Sequence, residues 1–173
     1  MLADRVEGNL LAARQEIEKL LLLHGEGPLD ADQLTAAVAD SARYDVFELV
    51  DSALRGDGER CLHILDGLRG EGTAAPVVLW ALHREARSLA QIATEIATGT
   101  QADNAIRQAR VFGNRIELVR QGLRRLGAAQ WLALLDLCQQ TDAAIKGGTR
   151  DPWHLFDAIV LTICGHPDAV PSV

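Results

Sequence analysis

Between Pro76 and Ala97, apolar residues recur at spacings of three and four: Val78, Leu82, Ala86, Leu89, Ala93 and Ile96. That period matches the turn of an α-helix and predicts one long amphipathic helix with a single buried stripe. Pro76 suits its first turn, where a missing N–H leaves no bond unmade, and Gly99 ends it. Stripe and breaker alternate elsewhere too. A first helix is expected from Asn9, a ready N-cap, to Leu23, closed by His24-Gly-Glu-Gly-Pro28. Asp30 with Gln33, and Asp45 with Glu48, share a capping-box spacing. They predict a short helix to about Ala39 and another over VFELVDSAL. Gly56-Asp57-Gly58 separates the latter from ERCLHILDGL. A weaker segment, ADNAIRQAR, follows the long helix, and then a helix from about Phe112 to Leu126. AAQWLALLDLCQQTDAAIK and, past Gly147-Gly148, DPWHLFDAIVLTIC complete the series.

No convincing strand interrupts these segments, so about eight helices joined by short loops predict an all-α protein. The last two are apolar almost all round and should form the deepest packing. No fixed-period repeat points to a solenoid. The first two helices are too small to form a core alone, which places a domain boundary near Asp40–Tyr44.

Composition narrows the function classes. The 173 residues are 48% apolar and 24% charged, as in a globular protein rather than a disordered one. A net charge of −7 argues against a surface built as a whole for DNA or anionic lipid. Cys61, Cys138 and Cys164 are odd in number, widely spaced and set among apolar residues, and no CxxC occurs. Reduced, buried thiols fit that pattern better than a disulfide framework or a zinc site. The opening MLADRVEG has no apolar signal core, and no uncharged run is long enough to span a bilayer. A cytoplasmic protein is expected.

Reactive constellations are scarce. Glu59, His63 and Asp66 share a helix face at i, i+4 and i+7 and have the chemistry of divalent-metal ligands. A solvated face with routine pairing accounts for them better, since no second cluster completes a shell. His83-Arg-Glu lacks the second histidine of a zinc protease helix. Cys164-Gly-His166 pairs adjacent residues near the chain end, a poor basis for a catalytic dyad. Lys146-Gly-Gly-Thr149 has the wrong order for a phosphate loop and follows a helix, so it reads as a helix terminator. No catalytic residue, cofactor site or metal site is assigned.

One stretch departs from the global charge. Arg107, Arg110, Arg115, Arg120, Arg124 and Arg125 face a single acid, Glu117. At about 100° per residue, Phe112, Ile116, Val119, Leu123 and Leu126 fall on one narrow stripe, and most of the arginines point away from it. Guanidinium groups so displayed would meet phosphate, acidic helices or water. Aromatics are only 4% of the chain and most sit in apolar runs, which disfavours base stacking on single strands.

Five stretches together resemble the delta subunit family of the bacterial DNA polymerase III clamp loader. They are EGNLLAARQEIEKL (7–20), AVADSARYDVFELVDSALRGD (37–57), CLHILDGLRGEG (61–72), RVFGNRIELVRQGLRRL (110–126) and DPWHLFDAIVLTICGH (151–166). The resemblance implies a degenerate AAA+ base, a helical lid and a helical collar. This sequence resembles the end of the lid over 1–42 and the collar bundle over 43–173. The base that engages the sliding clamp is not matched, and Met1 is expected to start a fragment. In ATP-hydrolysing relatives the lid helix begins G-x-x-R, and its Arg reaches nucleotide phosphate. Here Gly8-Asn9-Leu10-Leu11 puts Leu11 at that position, and an isobutyl group makes no charge-assisted bond to phosphate. Arg14, one turn on, is the nearest substitute.

The resemblance implies a subunit without ATPase activity in DNA replication, accessory to a DNA-directed polymerase. This part would assemble delta into a pentamer with the ATPase subunits and delta prime through collar and lid. DNA is met indirectly, the sliding clamp only through the unmatched domain, and no membrane is involved. Arg110, Arg115, Arg120, Arg124 and Arg125 are the candidate contact residues. The alternative is a helical nucleic-acid-binding domain using the Arg107–Arg125 segment; a metal-dependent hydrolase at Glu59, His63 and Asp66 is a third reading.

Overall fold

A computed structural model describes residues 45–166 together with the single helical residue Leu21. Apart from Leu21, the helices expected at 9–23 and 30–39 lie outside the described residues, as does the position of Leu11. Backbone contacts divide the chain between Ala42 and Arg43, and the architecture below is that of the second unit.

The described residues are all α-helical, with no strand among them. The helices are α1 (Val46–Arg55), α2 (Gly58–Gly70), α3 (Ala75–Ala97), α4 (Ala102–Gln108), α5 (Arg115–Arg125), α6 (Ala128–Ile145) and α7 (Pro152–Ile163). Their starts follow from capping chemistry. Asp45, Asp57 and Asp151 each accept a hydrogen bond from a first-turn N–H, those of Phe47, Arg60 and Trp153 respectively. At α6 the Gln130 side chain reaches back 2.8 Å to the Gly127 N–H. Gly56 and Gly165 end α1 and α7 with φ of 87° and 90°, left-handed values that only glycine adopts without cost.

The long helix α3 is the spine. It buries Val78, Ala81, Leu82, Ala86, Leu89, Ala90, Ile92 and Ala93 and touches α1, α4, α5, α6 and α7. Its main partner is α6, which brings the fully enclosed Trp131 and Leu134 against it. Helix α7 lies across α2 and α6 and buries Leu155, Phe156, Ala158, Ile159, Val160 and Ile163, the deep packing its composition predicts. The matching expectation for α6 is corrected. Only Trp131, Leu134, Cys138 and Thr141 are buried there, while Leu132 is half exposed. A run rich in Leu and Ala has no clear period, so its outer face was hidden in the sequence.

A second correction concerns α5. It begins at Arg115, not Phe112, because Gly113 (φ 64°) and Asn114 form the turn that opens it. Phe112 is therefore not in the buried stripe; it is 68% exposed, the largest value among the exposed large apolar residues. Ile116, Leu118, Val119, Leu123 and Leu126 do pack on the core.

Helix α5 approaches the spine through Gly122. A Cβ there would stand 2.9 Å from Cδ2 of Leu54 and 2.9 Å from Cδ2 of Leu89, both fully buried. Gly122→Ala is expected to destabilise the protein by up to about 2 kcal/mol, because overpacking costs about 1–3 kcal/mol against the roughly 1 kcal/mol gained in helix propensity. Urea unfolding followed by tryptophan fluorescence checks this; an unchanged or higher midpoint would show that the two leucines yield.

Candidate functional site

The arginine-rich segment runs from the end of α4 through a turn into α5, and its six guanidinium groups meet different fates. Arg125 is drawn inward. Its Nη1 donates to the carbonyls of Ile163 (3.0 Å), Leu54 (3.3 Å) and Ala53 (3.4 Å), and its Nη2 donates to Leu54 (3.2 Å). These carbonyls lie in the last turns of α1 and α7, where the helix dipoles place partial negative charge, and that of Ala53 also accepts from the Gly56 N–H. The side chain passes between the two cap glycines. A Cβ on Gly56 would lie 2.8 Å from its Nη2, and one on Gly165 would lie 2.7 Å from its Cδ.

Arg115 bridges two other helices. Nη1 donates to Asp51 of α1 at 2.6 Å and Nη2 to Glu85 of α3 at 2.8 Å. Two carboxylates share one guanidinium. Burial raises the pKa of both Glu85 and Asp51 above the ordinary carboxylate values, and the charge of Arg115 only partly offsets that rise. Arg120 pairs with Asp103 of α4 at 2.7 Å, and Arg124 pairs with Glu117 at 2.6 Å. Both are exposed surface pairs of small energetic weight.

The turn between α4 and α5 is different. Arg110 takes φ of 56°, the one left-handed non-glycine residue among those described, and is exposed. It has no ion pair among the described residues. Arg107 is exposed and, among the described residues, its side chain donates only to Asn104 on its own helix. Phe112 stands between them and Arg115 with its ring in solvent. Of the contact candidates named from sequence, Arg125 and Arg115 are thus committed to the fold. Arg120 and Arg124 are neutralised locally, and Arg110 is the unpaired one. The Gly113-Asn114 pair was the overlooked signal that Phe112 precedes the helix.

The other sequence candidates separate. Glu59, His63 and Asp66 all lie exposed on α2. Among the described residues no three His, Cys, Asp or Glu side chains converge closely enough to hold a metal ion. Cys164 is buried, with its sulfur 4.0 Å from that of Cys61, while His166 is exposed. The hydrogen bond to Cys164, with burial behind it, pushes the Cys61 thiol up. Burial alone pushes Cys138 up to about 11. These thiols are packed as apolar groups. Lys146 pairs with Asp142, and the Gly148 N–H closes on the Ala143 carbonyl, so Gly147-Gly148 terminates α6. No described helix is long and apolar enough to cross a membrane.

Comparison with known proteins adds a family. The family described as "Processivity clamp loader gamma complex DNA pol III C-term" matches residues 46–170. The DNA polymerase III subunit delta of Escherichia coli is 33% identical over 162 residues, covering 93% of this chain and 47% of that protein. That of Haemophilus influenzae is 27% identical over 128 residues, covering 69% of this chain and 37% of the other. The solved Bacillus subtilis DNA clamp loader delta protein superposes with a TM-score of 0.61 at 20% identity. That match covers 94% of this chain and 48% of the other and concerns the fold alone. The chain spans about half the length of these relatives, or less.

Removing the Arg125 side chain should deprive the Leu54 and Ile163 carbonyls, at the ends of α1 and α7, of the guanidinium donor. Arg125→Ala is expected to lower unfolding free energy by about 2–3 kcal/mol, the scale of charge-assisted hydrogen bonds. Arg124→Ala should leave the urea midpoint essentially unmoved. Equal effects of the two would show that the carbonyl contacts carry no special weight.

Proposed function

The chain belongs to the DNA polymerase III delta-subunit family, matching its C-terminal region, and from that premise we propose that it serves DNA replication as a structural part of the clamp loader. In this reading residues 43–173 are a collar and residues 1–42 the end of a lid. The output is assembly: the collar packs beside the loader's ATPase subunits and delta prime and holds delta in a pentameric ring. The protein performs no bond-making step itself, and Leu11 marks a nucleotide-sensing position that has lost its cation. The setting is the cytoplasmic replication complex, with DNA as an indirect partner.

The observation that carries this reading is the family match over 46–170, which falls on one packed helical core. The fate of the ionisable groups supports it. Arg115, Arg125, Asp51 and Glu85 are used to join helices, as befits a scaffold. An interface that holds subunits permanently buries on the order of 2,000 Å² or more, which a bundle of seven described helices has the surface to offer. Mixing the purified chain with the loader's ATPase subunits and delta prime, and measuring mass by light scattering, tests the assignment. A complex is expected at micromolar concentration, and its absence would overturn the reading.

A second reading has its own observation, the exposed Phe112 close in sequence to Arg107 and Arg110, neither of which has an ion pair among the described residues. A bare aromatic ring flanked by unneutralised guanidinium groups suits a nucleic-acid strand, the ring stacking on a base and the cations meeting phosphate. The contact would thus lie in the turn before α5 rather than on the paired arginines of the helix. DNA affinity of the chain measured across a salt series checks it. Arg110→Ala should reduce the slope of log affinity against log salt by about 1, and Phe112→Ala should weaken binding several-fold with the slope retained. Affinity unaffected by either change would remove this reading.

A further inference from the structure

The outward face of α3 carries a second surface that the arginine-rich segment does not include. Val77, Trp80, Arg84 and Arg87 follow at i, i+3, i+7 and i+10, which puts them on one stripe. Val77 is 47% and Trp80 45% exposed, unusual values for such large apolar groups on a helix otherwise well packed. Phe47 of α1 meets the Trp80 ring edge-on, with centroids 6.1 Å apart, and widens the apolar end. The Arg84 guanidinium lies 5.6 Å from the centre of the Trp80 ring. That stacking occupies one face of the guanidinium and leaves its N–H edges free.

Neither Arg84 nor Arg87 has an ion pair among the described residues, whereas Arg55, Arg69, Arg115, Arg120 and Arg124 all have one. Two bare cations beside an apolar patch run against a chain whose net charge is −7. We propose that this stripe of α3, with Phe47 beside it, receives an acidic amphipathic helix of a partner protein. An apolar side chain of the partner would cover Val77 and Trp80, and carboxylates two turns further along would meet Arg84 and Arg87.

Charge and shape select that occupant. The stripe extends over ten residues of straight helix, about 15 Å at 1.5 Å per residue, which suits a helix laid alongside. A carboxylate can pair bidentately with the free edge of Arg84. A nucleic-acid strand would meet the two cations, but Phe47 and the Arg84 guanidinium already pack on the Trp80 ring and Val77 offers a base no stacking face. The proposal rests on the assembly reading only in seeking the partner among the loader subunits.

The test uses the chain mixed with the ATPase subunits and delta prime. A photo-reactive benzoylphenylalanine placed at Val77 is irradiated and the adduct mapped by mass spectrometry, and Arg84→Glu/Arg87→Glu is assayed for assembly. The expected adduct lies on a partner helix bearing Asp or Glu, and the double reversal weakens assembly at least tenfold. The unfolding midpoint of that variant should fall only slightly, through loss of the exposed stacking of Arg84 on Trp80. Adducts on DNA, on a second copy of this chain or on its own residues 1–44 would overturn the proposal. So would no adduct, or an unaffected double reversal, in a complex that still forms. Failure of the unsubstituted chain to assemble would instead bring down the assembly reading and this proposal with it.

Discussion

The bundle depends on α3 remaining one uninterrupted helix with a continuous buried stripe. Five of the other six described helices touch it, and none of them has enough apolar surface to persist alone. The stripe from Val78 to Ala93 is rich in alanine, which lets α6 and α5 come close. Gly122 carries that closeness to its limit, since even a methyl group there meets Leu54 and Leu89 at 2.9 Å. A Pro or charged residue midway along the stripe would therefore disturb every layer at once.

Charge serves this packing more than it serves the surface. Arg125 and Arg115 reach from the two ends of α5 into the joints between other helices, one satisfying backbone carbonyls and one balancing two half-buried carboxylates. Each side chain supplies several donors in a fixed fork, which a lysine would not reproduce. The result is a bundle whose most basic helix presents little uncompensated charge. Among the described residues, cations without an ion pair include Arg110 in the turn before α5 and Arg84 and Arg87 along the outer face of α3.

Much of the fold was legible because its signals are local. The period of α3, the cap at Asp45, and the breaks at Gly56-Asp57-Gly58 and Gly147-Gly148 each follow from neighbours within a few residues. The failures share a different cause. Phe112 fits a helical stripe by arithmetic, yet the turn at Gly113 takes it out of the helix. The exposed Trp80 hides in the run VVLWALH, and Leu132 hides in a helix apolar on both faces. Which arginine is buried is set by helices far away in the chain, as with Arg125 and Ile163, and no window of sequence contains that information.

The passage of Arg125 between Gly56 and Gly165 binds three distant positions into one unit of inheritance. With the arginine in place, neither glycine can acquire a side chain without striking it. Were the arginine replaced first, the room for a Cβ would open at both caps, but the left-handed backbone there would still disfavour one. Reversion would then be blocked by any side chain gained at either cap. Drift at one site thus closes the way back at another, and descendants that keep the arginine are expected to keep both glycines.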